Sequence, residues 1–180
     1  MKTKSSNLLS TLTLALCGIL LLTPGSKAAE KDTLNAADVK FVKHEAAAGM
    51  AVVQIGELGV KKAESAEVKA FAVAIVADHT KANEELKALA TTKGVELSTV
   101  IDPKQAEIFQ KLEKVSGVEF DKHFISEIVS GHKKCVSNFE TASTDSKDVE
   151  LKAWANKMLP ALKAHLEMAK GLKAKEVSAK

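Results

Sequence analysis

Arginine and tyrosine are absent from this chain of 180 residues, tryptophan occurs once, proline three times and cysteine twice. Each shortage excludes something. Arginine is the side chain that forks onto phosphate oxygens and base edges. Here all 26 basic residues are lysine, which argues against nucleic acid and against a phosphate-rich substrate. With aromatics at only 4% there is no stacking platform for bases or sugars. Of the two cysteines, Cys17 falls in an apolar leader, so Cys135 stands alone in the body and no internal disulfide is available. What fills the chain instead is Ala, Leu, Val, Lys and Glu, a helical composition. No alternating strand pattern competes with it.

The leader has the grammar of a secretory signal. Lys2 and Lys4 precede an apolar run from Leu12 to Leu22, Pro24 and Gly25 break any helix, and Ser26-Lys27-Ala28 offers small residues for cleavage. The expected cut follows Ala28, with Ala29 as the alternative. The run falls short of the roughly 20 residues of a comfortable membrane span, although an uncleaved anchor is the competing reading. Leu16 before Cys17 is too large for a lipoprotein signal. The formal charge of +3 belongs to this segment: without Lys2, Lys4 and Lys27, 23 lysines face 23 acids. The expected address is the periplasm, with outer-membrane association or secretion as alternatives, and no membrane span after cleavage.

The organisation expected is a signal peptide at 1–28, a short polar leader at 29–33, one helical domain at 34–175 and a frayed tail at 176–180. The first helix runs from Leu34 to Ala63, with an inward stripe of Phe41, Glu45, Ala48, Val52 and Ile55. Ser65 caps the second, and Gly94 stops it after Lys93. Asp102-Pro103-Lys104-Gln105 opens a short third helix that ends near Ser116-Gly117. Ser116 and Glu119 form a capping box for the fourth, which reaches about Thr141. The polar tract Thr141 to Lys147 is a turn with Ser146 as cap of the fifth helix. Pro160 is expected to kink that helix, with a break in two as the alternative.

Four long helices and one short one predict an all-α, ferritin-like four-helix bundle whose long crossover carries the short helix. Three histidines sit where such a bundle normally places Leu or Ile. His79 follows Val68, Phe71 and Ile75 on the second helix; His132 follows Ile125 and Ile128 on the fourth; His165 follows Trp154, Met158 and Leu162 on the fifth. A buried imidazole needs a hydrogen-bond partner or a metal, because an unpaired polar group in a core costs about 1–3 kcal/mol. Helical rise alone places the three Cα atoms about 21, 27 and 14 Å from the end that carries the first hairpin turn. That is one polar layer, but about 13 Å of axial spread is wide for a mononuclear site.

Phe71-Ala72 through Asp78-His79-Thr80-Lys81-Ala82-Asn83, then Glu85-Leu86-Lys87, together with Phe120-Asp121, His132-Lys133 and Leu159-Pro160-Ala161-Leu162 leading to His165-Leu166-Glu167-Met168-Ala169, resemble the signature of the domain-of-unknown-function family numbered 4142. The resemblance spans Val39 to Leu172. It implies an exported bacterial protein with a ferritin-like bundle and implies no particular activity. Val52 stands where family members tend to carry a Glu, and Gly131 where they tend to carry an acid. No Glu-x-x-His motif precedes any of the three histidines, so a di-iron centre is not expected.

Two readings follow. In one, the histidines form a hydrogen-bonded layer that sets helix register in a non-enzymatic structural, ligand-sequestering or envelope-stress protein. In the other, His79, His132 and His165, with Glu45, hold Zn, Cu or Fe. Asp78 is the expected partner of the second-helix histidine. Cys135 is read either as a small buried hydrophobe or as a thiolate beside His132. His44 and His123 are expected at the surface, and Met50, Met158 and Met168 as core filler. No serine lies in a nucleophile elbow, so the chain reads as a binding protein rather than a hydrolase. The ligand, any protein partner and a homo-oligomeric state are left open.

Overall fold

The computed structural model describes residues 33–178, with side chains described to residue 175. The expected signal segment, its cleavage site and most of the short leader lie outside these residues, as does the end of the tail. Five helices and no strand occur among the described residues: α1 (Ala36–Lys62), α2 (Ala66–Thr92), α3 (Pro103–Glu113), α4 (Gly117–Asp145) and α5 (Val149–Ser178). None of them is long and apolar enough to cross a membrane.

α1 packs along α2 and α4 along α5, while α1 also meets α4 and α2 meets α5. Polar clamps at both ends set the directions. The Asp121 carboxylate, near the start of α4, accepts from the amides of Glu64 at 3.1 Å and Ser65 at 2.8 Å in the α1–α2 turn. At the other end Lys93, just past α2, pairs with Asp148 at 2.6 Å and Glu150 at 2.7 Å where α5 begins. The two hairpin turns therefore lie at opposite ends, and α2 and α4 run parallel. The chain from Lys93 to Ser116 returns along the bundle, carrying α3. It is pinned near the first turn by Lys62 Nζ, which donates to the carbonyl oxygens of Glu113 at 2.6 Å and Leu112 at 3.4 Å.

Most helix limits follow local chemistry. Asn35 caps α1 by accepting from the Asp38 amide at 3.0 Å, Ser65 caps α2, and Asp102 caps α3 ahead of Pro103. Gly94 stops α2 with φ of 69°, a left-handed conformation. Three expectations fail at later boundaries. Ser116 flanks α4 but makes no capping hydrogen bond, because Gly117 at φ of 59° turns the chain away from box geometry. α4 runs on to Asp145, since the hydroxyls of Thr141, Ser143 and Thr144 bond back to carbonyls three or four residues earlier and keep the polar tract helical. The cap of α5 is Asp148, whose carboxylate accepts from the Leu151 amide at 2.7 Å; Ser146 instead accepts from the Asp148 amide. α5 continues as one helix through Pro160 to Ser178.

The core is continuous from Val42 and Ile55 on α1 to Phe120, Phe124 and Ile128 on α4 and Leu151 and Leu162 on α5. The buried face of α1 differs from the expected stripe. Phe41, Ala48 and Val52 are half-buried, whereas Gly49, Gly56 and Gly59 are buried. Gly59 permits a close approach of apolar neighbours: a methyl there would lie 2.8 Å from Ala72 Cβ and from the Phe124 ring. Glycine adds nothing to a hydrophobic pattern, so this contact face is hard to see in sequence. Met168 is exposed rather than core filler, while Met158 packs against the core.

Candidate metal centre

The side-chain cluster best equipped for chemistry is at mid-bundle. His79, His132 and His165 are 8%, 1% and 3% exposed. One ring nitrogen from each lies within 4.8 Å of those of the other two. The His79 and His132 Nε2 atoms are 3.3 Å apart, and the three ring centroids are 5.3–5.7 Å from one another. The 13 Å spread estimated from Cα rise is corrected by side-chain direction. A helical side chain leans toward the N-terminus of its own helix. His79 and His132 lean toward the first turn, and His165, on a helix running the other way, leans toward them.

Hydrogen bonds set the ring tautomers. His132 Nδ1 is 3.1 Å from the Ile128 carbonyl oxygen, an acceptor only, so this nitrogen carries the proton and the Nε2 lone pair faces His79. His165 Nε2 is 2.9 Å from Asp78 Oδ2 and donates to it, which leaves a lone pair on Nδ1. That Nδ1 is buried and has no hydrogen-bond partner. Asp78 therefore serves the α5 histidine and not its neighbour His79, contrary to the sequence expectation. Adjacent helical residues point about 100° apart, so Asp78 faces the next helix while His79 faces the core.

Burial, followed by the proximity of His132 and His165, lowers the His79 pKa to about 3. Burial and then His165 lower that of His132 to about 4, although its bond to Ile128 works the other way. Near neutral pH both rings are uncharged and have lone pairs to offer. Neutral imidazole is the form that binds metals.

Glu45 is buried but stands apart from the three rings. It accepts from Asn138 Nδ2 at 2.8 Å and from the Cys135 thiol at 3.5 Å. Burial raises its pKa, against the bond from Asn138 and the nearby His44. Burial and the Glu45 carboxylate also push the Cys135 thiol up, so Cys135 is a protonated donor and not a thiolate. His44 and His123 are exposed, as expected.

A partly open cavity of about 570 Å³ reaches this layer, with His79, His132, Glu45, Cys135 and Asn138 in its wall. Gly131 also lines it. Sequence reasoning missed the cavity, because Asn83 and Asn138 on its wall read as ordinary polar helix positions. It also missed the Lys93–Asp148 pair: Lys93 reads as a helix-end lysine, and its burial depends on where α5 begins.

These features define a helical bundle with a buried imidazole cluster reached from a cavity. The chain belongs to the family of the domain of unknown function DUF4142, whose family model matches residues 23–172. No curated protein matches it. Two solved structures share the fold. The crystal structure of a DUF305 fragment from Deinococcus radiodurans superposes with a TM-score of 0.71 at 13% identity, over 79% of this chain and 99% of that one. CopM in the Cu(II)-bound form gives a TM-score of 0.67 at 17% identity, over 77% of this chain and 96% of that one.

Proposed function

We propose that this protein is an exported, ferritin-like bundle that binds one transition-metal ion, Cu(II) or Zn(II), through His79, His132 and His165. The observation that carries the reading is the direction of the lone pairs. Ile128 and Asp78 take the N–H groups of two rings, so His132 Nε2 and His165 Nδ1 are left as acceptors inside the core. Two nitrogens held about 2.05 Å from a tetrahedral metal stand about 3.3 Å apart. His79 and His132 already have that separation, 3.3 Å. Asp78 behind His165 is the carboxylate that commonly orients a ligand histidine and raises its basicity.

An all-imidazole set with no carboxylate or thiolate among its donors suits copper and zinc better than iron, and copper stands highest in the affinity order of the divalent ions. The Cu(II)-bound CopM structure supports copper as the first ion to test. The parallel α2 and α4 with their α3-bearing crossover support the ferritin-like description, but the cluster lacks the carboxylates of a di-iron centre. The basic and apolar leader supports export to the periplasm.

The test is metal titration of the purified protein, with isothermal calorimetry and elemental analysis. Wild type is expected to take one Cu(II) or Zn(II) per chain. His132→Ala is expected to weaken binding by about 100-fold or more while the helical circular dichroism is kept. A folded wild type that binds neither ion at micromolar concentration sinks the proposal. The 3.3 Å His79–His132 contact would then be a packing layer that sets register.

A further inference from the structure

We infer that the metal keeps an open coordination position facing the cavity, and that a small monovalent anion occupies it. This rests on the three-histidine reading above and goes beyond it by naming the exogenous ligand. Three lines of observation lead there. Among the described residues, no acid or cysteine joins the three histidines as a fourth ligand. A tetrahedral ion with three protein ligands takes its fourth from outside. The walls differ in the second respect: His79 and His132 line the cavity, whereas His165 is absent from its wall and is bonded to Asp78 behind. The unfilled face of the ion therefore points at the cavity. At about 570 Å³ the space falls within the range of small-molecule sites.

Charge selects the class of ligand. A divalent ion among three neutral imidazoles brings two positive charges into a low-dielectric layer, and Asp78 offsets one through His165. Glu45 also lines the cavity wall, but Asn138 and Cys135 hold it in place. One positive charge remains, and a monovalent anion neutralises it. Hydroxide, formed from water with release of its proton to bulk solvent, and a dissolved anion such as a halide share this chemistry.

The experiment uses the purified protein loaded with one Cu(II) and azide as the probe, followed by the azide-to-copper charge-transfer band and by electron paramagnetic resonance. Wild type is expected to give a saturable band. Gly131→Leu adds bulk to the cavity wall at an exposed helix position where an added Cβ meets nothing within 4 Å. It is expected to weaken azide binding about tenfold while copper stoichiometry stays at one. Val52→Phe, from α1 on the same wall, is a second obstruction with the same expected outcome. Azide affinity that falls tenfold per pH unit on the alkaline side identifies hydroxide as the resident anion; a flat profile with competition by chloride identifies a dissolved anion. Copper bound at full stoichiometry with no azide response overturns the inference and leaves the metal site standing. So does unchanged azide affinity in both obstructed variants. Failure of wild type to bind copper overturns both.

Discussion

Two buried polar groups in this bundle are built on opposite principles. At one end, Lys93 is 2% exposed by side chain and paired with Asp148 and Glu150, opposite charges at hydrogen-bond distance. Burial works against the Asp148 carboxylate, yet the Lys93 ammonium and the Leu151 amide outweigh it and hold its pKa below the ordinary value. At mid-bundle only His165 has an acid beside it, the largely exposed Asp78, while His79 and His132 have none, and His165 Nδ1 is buried with no partner. A polar group that is fully paired tells of assembly: the Lys93 clamp ties the end of α2 to the start of α5. The histidine layer is paired only in part: His79 and His132 share one contact of 3.3 Å, and His165 Nδ1 is left with an unused lone pair.

The largest effect is expected at the clamp. Lys93→Met removes the cation from two carboxylates, one of them 4% exposed, and is expected to cost about 3 kcal/mol or more in urea unfolding. Metal affinity in the folded variant should be unchanged. A variant that keeps its stability would show that the pair is dispensable.

Acid separates the two groups along the pH axis. The folded-state values of His79 and His132, about 3 and about 4, lie below the ordinary 6.5, so the unfolded chain binds more protons between those limits. The contribution of these two rings to the stability of the metal-free protein is therefore full above pH 6.5 and declines as the pH falls toward 3. The clamp behaves differently, because Asp148 is shifted down from an ordinary 3.8 and its contribution is lost only in stronger acid. Urea titrations from pH 7.5 to 4 should show the decline in wild type and a flatter profile in the His79→Leu, His132→Leu double variant. Equal slopes would contradict the burial of neutral imidazoles.

Asp78→Asn sharpens the metal side. Its carboxyl is 57% exposed, so folding should change little, but His165 loses its anionic partner. Metal affinity is expected to drop about 10–100-fold by calorimetry. An unchanged affinity would mean that His165 is oriented by packing alone. The smallest effect is expected at Gly131, a helix-interior glycine with free space around its Cβ position. Gly131→Ala should stabilise the protein by about 0.5–1 kcal/mol in thermal unfolding, without loss of metal.

The helices were legible in detail from local signals: the caps at Ser65 and Asp102-Pro103, the stop at Gly94, and the stripes that carry Ile75, Ile128 and Leu162 inward. These depend on residues within one turn of each other. The glycine face of α1 and the cap at Asp148 depend instead on contacts distant in sequence. A small residue is buried only when another helix comes close, and of two capping candidates two residues apart the winner depends on where the chain must turn. Glu45 lies on the inward-facing stripe that the sequence shows, while its partners there, Asn138 and Cys135 on α4, are set by the packing of α1 on α4.

By itself the sequence determined that the chain folds as helices, that it carries no disulfide within its body, and that His79, His132 and His165 face a core. Composition and a 3.6-residue period are local properties, and a chain of Ala, Leu, Lys and Glu has no other way to bury its apolar stripe. Only the tertiary structure decided that the three rings converge to within 4.8 Å and that Asp78 belongs to His165. The reason is physical. Convergence depends on the sense in which each helix runs and on the lean of its side chains, and those are settled by the turns and clamps that join the helices.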